Sequence, residues 1–133
     1  MQLIGYVIAG ILALTAAAIH GGVGERIVVM RLRKDTLPRT QFGGGGASLA
    51  MIRVSWHIVT MSFAATGAAL LACAGSSAGA CDGIGKLVAV LFGGYFLVAG
   101  VVAIRRQNLT LIARHPAPLI FAAIAALSWL GST

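Results

Sequence analysis

The chain has 133 residues, of which 59% are hydrophobic and 10% are charged, and its formal net charge is +7. Charged residues make up about a quarter of a soluble domain. The low charged fraction and a mean hydropathy of +0.95 therefore exclude an ordinary water-soluble protein. The length leaves room for a single domain.

Four apolar stretches follow one another along the chain, at residues 2–20, 51–75, 87–104 and 116–131. Each is close to the roughly 17–25 residues that a helix needs to cross a hydrocarbon core. The first lacks a preceding basic segment and is interpreted as a retained span rather than a signal peptide. The spans must be helical, because unpaired backbone groups in lipid cost several kcal/mol each. The sequence thus predicts an all-α integral membrane protein, a single four-transmembrane-helix bundle over residues 1–133.

The connection after the first span, residues 21–50, is basic. Within residues 24–34, Ile27, Met30 and Arg31 stand at helical spacing, which predicts a short amphipathic helix at the membrane surface. Pro38 and the four glycines at 43–46 then predict a break and a flexible hinge.

Nine of the ten Lys and Arg residues fall on one side when the four spans are threaded through a membrane, and only Lys86 falls on the other. Basic loops mark the cytoplasmic side, so both termini are predicted on the outer, periplasmic side. This asymmetry explains the net charge without nucleic acid, and anionic lipid head groups are the expected partner. The residues expected to contact head groups or other anions are Arg26, Arg31, Arg33, Arg53, Arg105, Arg106 and Arg114.

Cys73 and Cys81 bracket the outer end of the second span and the short loop that follows it. Both fall on the oxidising side of the predicted topology, where a disulfide between them is allowed. Two free thiols are the alternative.

Small and weakly polar residues form rows along three spans, as in membrane helices that approach one another closely. Such rows are expected to make contacts inside the bundle or between protomers. The rows are Ser55, Ser62, Thr66 and Cys73 in the second span, Ala89, Gly93 and Gly100 in the third, and Gly10, Ala17 and Gly21 in the first.

The three histidines share one depth, because His20, His57 and His115 each lie about 24–29 Å from the outer end of their span. Together with Glu25 they could supply the ligands of zinc, iron, copper or manganese, or bind haem. Two alternatives stay open. One is a polar cluster that anchors helices at the interface, which the outward angle of His57 favours, and the other is a pocket for an anion, a quinone or a lipid head group.

The motifs His20 with Gly24-Glu25, then Trp56-His57, then His115-Pro116 resemble those of small four-span proteins of unknown role in bacterial inner membranes. The resemblance covers the whole chain. It implies the four-helix architecture and a multi-pass location in the bacterial inner (cytoplasmic) membrane. It implies no reaction and transfers no catalytic residue.

Two classes of function follow from these patterns. The first is a non-catalytic accessory or assembly subunit that packs against other membrane proteins or forms a homo-oligomer. The second is a metal- or haem-binding redox protein whose ligands include His20, His57 and His115 at the cytoplasmic interface. A small transporter or channel is less favoured, because the predicted spans carry no charged residue near the middle of the membrane. An enzyme is not expected.

Overall fold

The computed structural model describes residues 2–41, 43–77, 79–106, 110 and 115–133, and these residues form helical rods without a named strand. The first rod, α1, runs over Gln2–Arg31. The second, α2, spans Gly45–Ala74, the third, α3, spans Asp82–Arg105, and the last, α4, spans Ala117–Gly131. The predicted all-helical class is therefore confirmed.

Three of the rods, α1, α2 and α3, are long and apolar enough to cross a membrane. The last, α4, has only 15 residues and a length of about 22 Å, short of the roughly 30 Å hydrocarbon core. The long rods also extend past the predicted limits, because hydropathy marks only the apolar part of a helix. Thus α2 begins six residues before the predicted span and α3 begins five before it.

The rod α1 does not stop at the predicted end of the first span. Its α-helical part, Gln2–Ala18, passes into a π-helical turn over Ile19–Gly24, then a short α-helical turn at Glu25–Ile27 and a 3-10 turn at Val29–Arg31. The predicted amphipathic segment is thus the end of α1 itself.

The glycine run at 43–46 does not form the predicted hinge. Gly44 caps α2, and Gly45 and Gly46 lie in its first turn. A Cβ on Gly45 would overlap the carbonyl group of Lys34. The missing side chain therefore lets the preceding loop fold back onto the helix end, where Ser48 Oγ donates a hydrogen bond of 2.7 Å to the carbonyl of Pro38.

The rod α1 lies between α2 and α4, and α4 packs in turn against α3. The contact between α1 and α2 depends on two glycines. A Cβ on Gly67 would lie 2.8 Å from the carbonyl oxygen of Gly10, so the two backbones touch without intervening side chains. By contrast, α2 and α3 approach each other mainly through large aromatic side chains.

These side chains form the centre of the bundle. The rings of Phe63, Phe92, Tyr95 and Phe121 have centroids 5.4–5.8 Å apart, within the range of favourable tilted and edge-to-face pairs. Phe63 and Phe92 are buried, and the cluster joins α2, α3 and α4.

The described ends of the chain lie together at one end of the bundle. Gln2 Nε2 donates a hydrogen bond of 3.1 Å to Asp82 Oδ1, and the hydroxyl of Tyr6 donates one of 3.2 Å to the carbonyl of Cys81. A disulfide joins Cys73 to Cys81, with 5.6 Å between their Cα atoms. Gly85 packs against Ser132 at the same end. The histidine-bearing ends of the rods therefore lie at the opposite end.

Candidate functional site

His20 is held at the π-helical turn by two residues of α2. Its ring stacks on Trp56 with 4.0 Å between centroids and 15° between planes. Trp56 Nε1 donates a hydrogen bond of 3.0 Å to the carbonyl of His20, and His20 Nδ1 lies 2.9 Å from Thr60 Oγ1. Gly21 and Gly24 face these partners, since a Cβ on either would lie 2.6 Å from Thr60 or Trp56. The π-helical turn therefore packs against α2, and such turns are often found at functional sites.

These bonds favour one tautomer of the His20 ring. Thr60 Oγ1 donates its single proton to the carbonyl of Trp56 at 3.1 Å, so it can only accept from the imidazole. Nδ1 of His20 is therefore the donor. In the neutral ring Nε2 is then an acceptor, and it makes no hydrogen bond to the part of the chain that the structure describes.

His115 lies just before α4. Its Nδ1 accepts a hydrogen bond of 3.3 Å from the backbone N–H of Ala117, which caps the start of the helix. A neutral His115 with Nδ1 as acceptor carries its proton on Nε2. His115 therefore offers a donor where His20 offers an acceptor.

An apolar cavity of about 200 Å³ lies between the ends of α1 and α4, and both His20 and His115 line it. Trp56, Phe63 and Phe121 contribute aromatic walls, and the remaining described lining is aliphatic, proline or glycine. At the other end the two helices are in close contact, since a Cβ on Gly5 would lie 2.9 Å from the carbonyl oxygen of Leu127. The helices α1 and α4 thus diverge toward the end that carries His20 and His115, and the cavity lies in the space between them.

Glu25 and His57 form a separate pair beside the cavity. His57 Nε2 lies 3.9 Å from Glu25 Oε2, and this oxygen is buried without a hydrogen-bond partner among the described residues. His57 itself is exposed, as the outward angle in the sequence predicted.

The predicted metal ligands His20, His57, His115 and Glu25 are not brought together as one set. Within residues 2–41, 43–77, 79–106, 110 and 115–133, no three His, Cys, Asp or Glu side chains are grouped so as to hold a metal ion. The physical reason is that each histidine already serves a different neighbour: Thr60 and Trp56, Glu25, or the start of α4. The three histidines were predicted at one depth, but a shared depth does not bring their side chains to one point.

The predicted basic residues surround this end of the bundle as exposed side chains. Arg33 forms an exposed ion pair of 2.9 Å with Asp35. Arg114 lies outside the described residues. The exposed arginines of the predicted set are Arg26, Arg31, Arg33, Arg53, Arg105 and Arg106.

The predicted packing rows meet different outcomes. In α1 the row is correct, because Gly10 contacts Gly67 and Leu71, Gly21 contacts Thr60, and Ala17 is buried.

In α2 the row is correct only in part. Ser55 is exposed, whereas Ser62 Oγ lies 3.4 Å from the hydroxyl of Tyr95 in α3. Thr66 Oγ1 donates a hydrogen bond to the carbonyl of Ser62 in its own helix.

In α3 the row divides, because Ala89 is buried in the bundle whereas Gly93 and Gly100 are only half-buried. A Cβ on Gly93 or Gly100 would meet no atom within 4 Å among the described residues. Contact between protomers stays a prediction for them.

The close approach at Gly67 and the contacts of Thr60 and Trp56 with His20 were not among the features predicted from the sequence. Glycines at 21 and 24 were the available signal, because two glycines that follow a histidine in a membrane helix suggest close contact with bulky neighbours.

Comparison with known protein families, curated proteins and solved structures finds no match to this chain. The fold and the site define an all-helical protein with three helices able to span a membrane. This assignment comes from the sequence and structure of the chain itself.

Proposed function

We propose that the chain is a non-catalytic, multi-pass protein of the bacterial inner membrane, an accessory or assembly subunit that associates with a second copy or another membrane protein through α3. Its four helices cross the membrane with both termini on the periplasmic side. The single observation that carries the proposal is the outer face of α3, which has the residue pattern of a helix interface but no partner among the described residues of the bundle.

This face, the α3 seam, consists of Val90, Gly93, Leu97, Gly100 and Ile104. The large residues are 65–69% exposed, and a Cβ on either glycine would meet open space. At 100° per residue the five positions lie within about 40° of one line.

The seam repeats every seven residues. Val90, Leu97 and Ile104 occupy one heptad position, and Gly93 and Gly100 occupy another. A sustained seven-residue apolar repeat favours a left-handed helix pair. Glycine at alternate layers lets two backbones approach, so that the large side chains between them pack at close range.

Two independent features support the orientation. The nine arginines and lysines on one side are expected in the cytoplasm, where they would contact anionic lipid head groups. The Cys73–Cys81 disulfide lies at the opposite end, and disulfides persist in oxidising compartments such as the periplasm. Both features support an orientation with the described chain ends on the outer side.

The orientation is tested with a membrane-impermeant thiol reagent on intact cells. Because Cys73 and Cys81 are bridged, the wild-type chain should react weakly and serve as the background. We expect labelling of a Thr133→Cys variant and none of a Thr36→Cys variant until the cells are opened. Labelling of Thr36→Cys alone in intact cells would invert the orientation.

Association through the seam is tested by Gly93→Leu. The added side chain meets nothing inside the bundle, so the monomer should stay folded, but it should separate the helices of two copies. Overpacking of this kind costs about 1–3 kcal/mol, and we expect a 5- to 150-fold weaker self-association or co-purification. Analytical ultracentrifugation in detergent and cross-linking in membranes measure it.

Gly94→Leu is the matched control. Gly94 is the next residue, it also faces open space, and it lies about 100° around the helix from Gly93. Equal effects of the two substitutions, or no effect of either, would contradict association through the α3 seam.

A further inference from the structure

We infer that the cavity between α1 and α4 binds the ring of a membrane-soluble quinone or hydroquinone. The inference concerns a small-molecule site and does not depend on the α3 seam. It is carried by the size of the cavity, the chemistry of its two histidines and its opening toward lipid.

The size fits one substituted ring. The cavity measures about 200 Å³. An apolar cavity of about 150 Å³ holds a benzene molecule. A single six-membered ring with small substituents therefore fits, whereas a haem or a whole phospholipid head group with its chains does not.

The lining of the cavity disfavours a charged ligand. Of the described side chains that line the cavity, none is that of Asp, Glu, Lys or Arg, and Trp56 and Phe63 supply flat aromatic faces against which a ring can pack. A phosphate moved into such surroundings would lose its hydration without gaining an ion pair. The exposed arginines outside the cavity are better placed for phosphate than its interior.

Each of the two histidines has a ring nitrogen that can bond to an oxygen atom of such a ring. His20 Nε2, left as an acceptor by the bond from Nδ1 to Thr60, can accept from a phenolic hydroxyl. His115 Nε2–H, left as a donor because Nδ1 caps α4, can donate to a carbonyl or hydroxyl oxygen. A hydroquinone can satisfy both nitrogens, and a quinone can satisfy the donor, so the hydroquinone should bind more tightly.

The cavity can be reached from the lipid phase. Val23, Ile27 and Val28 line it and are themselves exposed on the surface of α1. A ligand with a long apolar tail could therefore place its ring among the histidines while the tail remains in the acyl-chain region.

Trp56 provides the measurement, because it lines the cavity while Trp129 lies toward the other end of α4. In a Trp129→Phe background, the fluorescence of Trp56 is followed during titration with decyl-benzoquinone in vesicles of phosphatidylcholine. Decyl-hydroquinone and decylbenzene then compete with it. We expect saturable quenching that the hydroquinone displaces at least 5-fold more effectively than decylbenzene, which lacks the oxygens.

The histidines give a matched pair of variants. His115→Leu should weaken binding of the hydroquinone about 3- to 10-fold, the effect of losing one hydrogen bond, and should leave decylbenzene unchanged. His57→Leu, at the same depth but not in the cavity lining, should bind as the parent does. Circular dichroism checks that both remain helical.

Three results would overturn the inference. The first is quenching that rises linearly without saturation, which indicates partitioning into lipid alone. The second is equal competition by decylbenzene and the hydroquinone, which indicates an apolar cavity filled by acyl chains. The third is equal weakening by His115→Leu and His57→Leu. If His115→Leu does not fold, the competition experiment on the parent protein decides by itself.

Discussion

Replacing Gly67 with leucine is expected to separate α1 from α2 and to destabilise the protein by about 3 kcal/mol or more. A Cβ at this position would lie 2.7 Å from Leu14 Cγ and 2.8 Å from the carbonyl oxygen of Gly10. Overpacking against movable side chains costs about 1–3 kcal/mol, and here one neighbour is backbone that cannot rotate away. The free energy of unfolding in mixed micelles, followed by circular dichroism, measures the effect.

Ala68→Leu is the control for this substitution. Ala68 is the next residue of α2 and is exposed, so its leucine should face lipid and change the stability by less than about 0.5 kcal/mol. If Gly67→Leu were as stable as Ala68→Leu, the direct backbone contact between α1 and α2 would be wrong. That result would also contradict the hydrogen bond from Trp56 Nε1 to the carbonyl of His20, since this bond joins the same two helices.

Reduction of the Cys73–Cys81 disulfide is expected to lower the stability by about 2–3 kcal/mol. The bridge closes a loop with a sequence separation of 8, and the loss of unfolded-chain entropy for so short a loop is of this size. It also holds Cys81, whose carbonyl accepts the hydrogen bond from Tyr6. Reduction should therefore loosen the contact between this loop and the first turns of α1.

The double variant Cys73→Ala, Cys81→Ala separates the bridge from other effects of the reductant. Its unfolding should be unchanged by reductant, whereas that of the wild-type chain should shift. Mass spectrometry of non-reduced protein after alkylation provides the opposing test. Two alkylated thiols in the untreated protein would show that the bridge is not formed.

Some features of the site could be predicted from sequence and others could not. The exposure of His57 agrees with the outward angle read from the sequence, although Ser55, whose row was expected to face the bundle, is exposed as well. The role of His20 did not follow from the sequence, because its stacking and hydrogen-bond partners, Trp56 and Thr60, lie 36 and 40 residues away. No local pattern specifies which residue of another helix meets a given turn.

The sequence by itself determined that this protein is helical and that its helices are long and apolar enough for a membrane. Hydropathy is averaged over neighbouring residues, so it can be calculated from the sequence alone. The thickness of the hydrocarbon core then sets how many apolar residues a spanning helix needs. Only the tertiary structure decided which small residues pack. Gly67 and Gly93 are the same residue in similar apolar helices, yet one touches the backbone of Gly10 and the other faces open space. The difference arises because helix contacts depend on the combined shapes of two surfaces, and the second surface is remote in the chain.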